Sequence, residues 1–402
     1  MGKGSGPRWL NDLGLGPLRP AWGYGQGLLL LLGLGLALTL HACQPTPPPM
    51  ATMPPAAETE PVPEAAPEPV ALPAETQALV DGAGGLYQPS RGDIRLVVIS
   101  DLNGAYGSTD YDPEIDTAMA LLPFWQPDMV LCSGDMVAGQ DLSLSEAQLQ
   151  AMWTAFDDHV ATPLRRASLP YGFTIGNHDA SSARGPSGGF TFEQERAVAR
   201  NYWNDPAHDP RIEFIDRYDF PFYYSFKFGD AFFVAWDGSS SQIPLDELDW
   251  VEKALTSPEA QAAQIKILLG HLPLYAVAEG RNLPGEVMAD ADQLQAMLER
   301  HNVHTYISGH QHAYYPGHKD GLQLLHAGVL GSGPRPYVGE TLPSRKSLTV
   351  LDIRFDDPEL TTYTTYDMEA LTLINLEDLP RVIAGHNGTV LRRDVALEDV
   401  AR

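Results

Sequence analysis

The segment IRLVVISD, residues 94–101, is a run of β-branched and other apolar residues that ends in a serine and an aspartate. Such a run predicts a buried strand, and the aspartate falls where that strand ends. The same arrangement recurs downstream, where the apolar segments 129–133, 171–175, 265–269 and 303–307 each precede a short polar motif. Because helical patterns alternate with these runs, the chain is predicted to form an α/β fold.

The polar motifs contain residue types that bind divalent metal ions. They place, after successive strands, Asp101, Asp135, Asn177 with His178, His271, and His310 with His312. Since the carboxyl ends of parallel strands meet at one edge of a sheet, these side chains are expected to converge. Mixed imidazole and oxygen ligands favour Mn²⁺, Fe²⁺ or Zn²⁺, whereas Mg²⁺ prefers oxygen alone.

Five motifs together resemble the calcineurin-like metallophosphoesterase superfamily. They are Asp101-Leu102-Asn103, Gly134-Asp135, Gly176-Asn177-His178-Asp179, Gly270-His271 and Gly309-His310-Gln311-His312, within residues 94–330. The resemblance implies a four-layer α-β-β-α sandwich with two mixed β-sheets. We expect a catalytic domain at residues 92–370 and a C-terminal extension at residues 371–402. The implied activity is hydrolysis of a phosphomonoester or phosphodiester by a hydroxide bridging two metal ions about 3.5 to 4 Å apart.

The resemblance also implies a role for each motif residue. Asp135 bridges two transition-metal ions (Mn, Fe or Zn), and His178, oriented by Asp179, gives a proton to the leaving oxygen. The remaining ligands divide between the two ions, with Asp101 and His312 at the first ion and Asn177, His271 and His310 at the second.

The first motif departs from the family pattern, which normally reads Asp-x-His, because its third position is Asn103. An amide oxygen is a weaker donor to a soft cation than imidazole, so the first site is expected to bind metal less tightly or to prefer a harder ion such as Mn²⁺. Three interpretations stay open: Asn103 is a ligand, Tyr106 replaces it, or the site is weak. The last leads to an alternative function, a catalytically weakened, membrane-anchored binding protein. Retention of His178 and Asp179 favours the enzyme.

The N-terminal residues are predicted to be an address rather than part of the fold. Basic residues precede the apolar run 27–40, which is shorter than the roughly 20 residues of a membrane-spanning helix. Leu40-His41-Ala42-Cys43 resembles a bacterial lipobox, apart from His41. We therefore expect a signal peptide at residues 1–42, a lipid on Cys43, and anchoring to the cell envelope after secretion across the inner membrane. Residues 43–80 are rich in Pro, Ala and Glu, which predicts a disordered tether.

The charge of the chain limits its partners. Its 52 acidic residues against 26 basic ones give a formal net charge of −26, which disfavours nucleic-acid binding and mildly favours a small phosphorylated substrate over a polyanion. Arg335, which ends the glycine-rich segment 331–335, is a candidate contact for a substrate phosphate. Neither the substrate nor the oligomeric state follows from the sequence.

Overall fold

Two mixed β-sheets lie at the centre of the protein in a computed structural model that describes residues 71–341 and 343–400. The strands are β1 (Ile94–Ile99), β2 (Met129–Cys132), β3 (Tyr171–Phe173), β4 (Glu213–Asp219), β5 (Tyr223–Phe228), β6 (Ala231–Ala235), β7 (Ile265–Leu269), β8 (Thr305–Ser308), β9 (Tyr314–Lys319), β10 (Leu322–Ala327), β11 (Ser347–Ile353), β12 (Thr362–Asp367), β13 (Thr372–Leu373), β14 (Val382–Gly385) and β15 (Gly388–Arg392). The predicted α/β fold with two mixed sheets is confirmed.

The strand order explains how the polar motifs meet. The first sheet runs β13-β12-β11-β1-β2-β3, and the second runs β14-β15-β9-β10-β8-β7-β6-β5-β4. Strands β1, β2 and β3 are mutually parallel, as are β6, β7 and β8. The loops that leave the carboxyl ends of β1, β2, β3, β7 and β8 carry the predicted ligands, so both sheets contribute to one site.

The helices are α1 (Ala74–Gly82), α2 (Pro113–Trp125), α3 (Glu146–Phe156), α4 (Thr162–Arg166), α5 (Asn177–Ala180), α6 (Glu193–Asn204), α7 (Leu245–Leu255), α8 (Pro258–Ala262) and α9 (Ala291–Arg300). A π-helical turn, Asp157–Ala161, links α3 to α4. Helices α3 and α6 pack on each other, while α7 contacts β6 and α9 contacts β10. Among the residues described, no helix combines the length and apolarity needed to cross a bilayer.

Aromatic side chains join the two sheets. The rings of Phe173 in β3 and Tyr224 in β5 have centroids 5.7 Å apart, and Phe173 also stacks on Trp203 of α6 at 4.0 Å. Such pairs each contribute about 0.5–1.5 kcal/mol beyond the burial of their area. The close approach of the sheets requires Gly172, where an added Cβ would lie 2.6 Å from the Phe226 ring.

Two predicted boundaries need correction. The tether was expected to reach residue 80, yet α1 begins at residue 74, and its Thr76 hydroxyl donates to the Ala120 carbonyl of α2 at 2.7 Å. The partly buried Leu79 and Val80 also pack against the core. This apolar face is too short to be recognised in a segment rich in Pro and Ala. The remaining tether, residues 43–70, and the signal peptide lie outside the described residues.

The C-terminal extension is not separate from the catalytic domain. It supplies β13, which pairs with β12, and β15, which pairs with β9 through Leu391 opposite His318. The buried Arg392 guanidinium donates to the carbonyls of Leu376 and Leu379. The fold therefore continues beyond residue 370, because these strands complete both sheets.

Candidate metal centre

Four of the predicted ligands lie in an unusual backbone conformation. Asp101, Asp135, His310 and His312 have φ angles of 51°, 56°, 65° and 51°. Residues other than glycine seldom adopt this left-handed region, and such strained positions concentrate at functional sites. Each lies just after a strand, where the turn of the backbone directs its side chain to the edge shared by the two sheets.

The residues predicted for the second ion are within hydrogen-bonding distance of one another. The Oδ1 atom of Asn177 lies 2.8 Å from His271 Nε2 and 2.8 Å from His310 Nδ1. Asp135 Oδ2 is 3.2 Å from the same His271 nitrogen. Asn177 is oriented through its amide nitrogen, which donates to Gln140 Oε1 at 2.7 Å. The donor atoms of this predicted set therefore face one point.

The residues predicted for the first ion lie beside that set. Asp101 Oδ1 is 3.3 Å from His312 Nε2, and Ser100 donates its hydroxyl to Asp101 Oδ2 at 2.6 Å. Asp101, Asp135 and His271 are fully buried. Each offers one potential ligand atom, and these three atoms all lie within 4.8 Å of one another. The spacing brings the two predicted ligand sets into one centre that shares Asp135.

Hydrogen bonds to backbone carbonyls orient the histidines. The Nδ1–H of His271 donates to Ser133 at 2.7 Å, and the Nδ1–H of His312 donates to Gly333 at 2.9 Å. These bonds place a proton on Nδ1 in both rings and turn each Nε2 towards a carboxylate.

Two buried polar atoms at the centre lack a hydrogen-bond partner among the described residues. They are Asp135 Oδ2 and His312 Nε2. A buried polar group without a hydrogen bond costs about 1–3 kcal/mol. Each of these atoms faces one neighbouring donor-type side chain, His271 Nε2 at 3.2 Å and Asp101 Oδ1 at 3.3 Å, an arrangement that a shared cation would stabilise. Carboxylate, imidazole and amide donors together suit a divalent transition metal. The residues present therefore fit the implied ions.

The electrostatics of the centre show how closely its charges are coupled. Burial would raise the pKa of Asp135, but His271 and His178 lower it well below its ordinary value. Conversely, burial would lower the pKa of His271, while Asp135 raises it to about 9. Burial lowers the pKa of His310 to about 3, so this ring is neutral near pH 7.

Asp179 does not orient His178, contrary to the expectation from the resemblance. The His178 Nδ1–H donates to the Gly139 carbonyl at 3.0 Å. Asp179 Oδ1 instead accepts from the backbone N–H groups of Met136 and Val137, at 2.7 and 2.9 Å. Burial and Asp135 raise the pKa of Asp179 to about 7. Because a backbone carbonyl already holds the imidazole, the carboxylate serves to tie the loop after β2 to the loop after β3.

Asn103 and Tyr106 differ in their exposure beside the centre. Asn103 is buried, and its backbone carbonyl accepts from Ser332 N at 3.3 Å, but its side chain makes no hydrogen bond within the described residues. Tyr106 is 62% exposed, and its ring centroid lies 5.0 Å from that of His178. Tyr106 therefore lies beside His178, the predicted proton donor.

Several residues of the site carried no motif in the sequence. Gln140 orients Asn177, and Glu286 Oε2 lies 2.8 Å from His310 Nε2. Arg281 NH1 is 2.7 Å from Glu286 and 2.8 Å from the same His310 nitrogen. The hydrogen bond from His310 and the neighbouring Arg281 lower the pKa of Glu286 to about 2, although burial opposes them. Their loops have no periodic pattern, so no signal in the sequence could have identified them.

A cavity of about 330 Å³ opens onto the centre. Its walls include Tyr106, His178, Asn177, His310 and Arg281, together with serines 181, 239, 240 and 241. The cavity is thus lined mainly by hydrogen-bonding groups, as a site for a polar, oxygen-rich ligand requires.

The arrangement defines a class of protein: an α/β sandwich with a buried carboxylate and imidazole centre where the strands of both sheets end. The chain belongs to the calcineurin-like phosphoesterase family, whose profile matches residues 94–314. No curated protein matched the chain.

The solved structures that the chain resembles share little of its sequence. A purple acid phosphatase from yellow lupin (Lupinus luteus) seeds is 17% identical, with a TM-score of 0.48, and the match covers 72% of this chain and 54% of that one. The inner-membrane-complex anchor GAP50 of Plasmodium is 13% identical, with coverage of 70% and 87% and a TM-score of 0.46. PhoD is 12% identical, with coverage of 72% and 73% and a TM-score of 0.43. The chain thus spans about half the length of the phosphatase.

Proposed function

We propose that the protein hydrolyses phosphate esters, with two divalent transition-metal ions held by Asp135 and the two ligand sets around it. The proposal is carried by the unpartnered buried atoms Asp135 Oδ2 and His312 Nε2, which share one centre with the other predicted ligands. Family membership supports the same reaction class. When bound, such ions lower the pKa of water towards neutrality and offset the charge on phosphoryl oxygens.

The chain's own residues would supply positioning and a proton. His178 lines the cavity, and its Nδ1–H bond to Gly139 leaves Nε2 available to interact with the leaving oxygen. Gln140 orients Asn177 so that the amide oxygen faces the centre. The polar cavity walls would hold the rest of a small phosphorylated substrate, and the chain's net charge of −26 weakens long-range attraction of polyanions such as nucleic acids.

The test combines metal analysis with turnover of p-nitrophenyl phosphate and bis(p-nitrophenyl) phosphate, with and without added Mn²⁺. Asp135→Asn is expected to abolish turnover and reduce the metal content. His178→Ala is expected to lower kcat by about 10²- to 10⁴-fold while the metal content stays the same, as for loss of a general acid.

His159→Ala is the matched control, because this histidine pairs with Asp116 on the surface, away from the cavity. Its turnover and metal content should equal those of the wild type. Full turnover by the His178→Ala protein would disprove the proton-donor role, and metal-free, inactive wild-type protein under every ion tested would disprove the enzyme itself.

We also propose that the protein is exported and anchored to the cell envelope by a lipid on Cys43. The support is the lipobox-like sequence 40–43 after an apolar run. Cells fed a palmitate analogue should label the wild-type protein and leave the Cys43→Ser variant unlabelled. Equal labelling of the two proteins would exclude this anchor.

A further inference from the structure

Arg281 and Arg335, called the arginine pair below, lie close together at the edge of the metal centre. An added Cβ at Gly280, the neighbour of Arg281, would be 3.0 Å from Arg335 NH1. Arg281 NH1 is 2.8 Å from His310 Nε2, and the backbone N–H of Arg335 donates to the His312 carbonyl at 3.0 Å. The Arg281 side chain therefore contacts one histidine of the last metal motif, and the Arg335 backbone is bonded to the backbone of the other.

The arginine pair has little compensating negative charge. Glu286 forms an ion pair with Arg281 at 2.7 Å, whereas Arg335 forms none within the described residues. The Nε atoms of both arginines are buried, and neither has a hydrogen-bond partner among the residues that the structure describes. The arrangement is thus electrostatically unfavourable as it stands.

An anion bound between the two guanidinium groups would remove this disadvantage. Guanidinium groups form planar, bidentate hydrogen bonds with phosphate oxygens, and these bonds are stronger than those between neutral groups. Arg281 lines the cavity beside His178, so an anion there would belong to the same ligand as the phosphoryl group at the centre.

We propose that the arginine pair binds a second phosphoryl group of the substrate, adjacent to the phosphoryl group that is hydrolysed. The inference rests on the proposed function and names its substrate class, an ester in which two phosphoryl groups are neighbours, as in an organic diphosphate. The hydrolysed group would be bound at the metal centre beside His178, and the arginine pair lies at the edge of that centre, where its N–H donors could bind a second group.

The test compares two non-hydrolysable ligands, methylenediphosphonate and methylphosphonate, titrated calorimetrically into the full-length protein loaded with Mn²⁺. The wild type should bind the diphosphonate more tightly. Arg335→Gln should reduce that preference about tenfold or more, the effect of one charge-assisted hydrogen bond. Arg335→Lys keeps the charge but loses the planar fork, so its preference should be intermediate.

Two controls make the result specific. Arg300→Gln removes an exposed arginine of α9 that pairs with Glu252 of α7, and it should keep the wild-type preference. The titrations are repeated with metal-free protein, where chelation of Mn²⁺ by the ligand cannot create a difference. Thermal melts of each variant verify that it is folded.

An unchanged preference in folded Arg335→Gln protein, or a wild type without preference, would overturn the arginine-pair proposal. This outcome is distinct from failure of the proposed function, which would appear as absence of hydrolysis of any phosphate ester. A protein that hydrolyses p-nitrophenyl phosphate but does not prefer the diphosphonate would retain the function and refute the second phosphoryl site.

Discussion

Replacing Gly176 with alanine tests whether the loop after β3 positions the carboxylate shared by the two ligand sets. An added Cβ would lie 2.1 Å from Asp135 Oδ1 and 2.2 Å from Asp135 N. The backbone of Gly176, with φ −92° and ψ 175°, suits alanine, so the only obstacle is this contact. Because one of the two clashing atoms belongs to the backbone, a side-chain rotation cannot relieve it.

The size of the effect follows from these distances. Non-bonded heavy atoms approach to about 3.5 Å, so Asp135 and residue 176 must separate by roughly 1 Å. Metal–ligand distances tolerate about 0.2 Å, and a 1 Å displacement can reduce activity about 10²-fold. Overpacking of this kind also costs about 1–3 kcal/mol of stability. We therefore expect Gly176→Ala to bind Mn²⁺ about 10- to 100-fold more weakly and to unfold at a lower urea concentration.

The assay is a Mn²⁺ titration followed by calorimetry, together with urea unfolding followed by tryptophan fluorescence. Gly185→Ala is the control, because its added Cβ would meet only ordinary contacts, Thr191 Oγ1 at 3.7 Å and the Gly189 carbonyl oxygen at 3.9 Å. If Gly176→Ala bound Mn²⁺ as tightly as Gly185→Ala, Asp135 could not be a ligand held in place by this loop.

Four further outcomes are expected. The buried Arg95 guanidinium forms an ion pair with Asp352 at 2.9 Å, and Asp352→Ala removes that partner. The substitution should reduce the free energy of unfolding, measured by urea titration, by about 3–5 kcal/mol. A loss below 1 kcal/mol would contradict this. Burial raises the pKa of Glu195 to about 7, so ionisation of this carboxyl group destabilises the fold as the pH rises from about 4.5 to 7. The urea midpoint of the Glu195→Gln protein should therefore rise relative to that of the wild type between pH 5 and pH 8. A constant difference across that range would refute the raised pKa. Asn103→His should tighten metal binding at the first site, and an unchanged calorimetric affinity would count against that assignment. Removing metal with a chelator should lower the unfolding free energy by about 2.7 kcal/mol relative to protein at a metal concentration 100 times Kd, and coincident urea curves would argue against specific binding.

Local patterns predicted the parts of the fold that have strong periodicity or composition. The runs at 94–101, 129–133 and 265–269 contain β1, β2 and β7. Elements without such patterns were missed. Strand β4 is mostly exposed along its length, and α1 lies at the end of a segment whose average composition indicates disorder.

The sequence alone determined which ligand types are present and that each follows a strand, because a buried apolar run that ends in a polar motif is readable locally. It could not determine what each side chain contacts. Only the tertiary structure gave the orientation of His178 to the Gly139 carbonyl rather than to Asp179. Only it placed Glu286 and the arginine pair beside the last metal motif. These contacts join loops far apart in the chain, so they depend on how the two sheets pack and not on any local pattern.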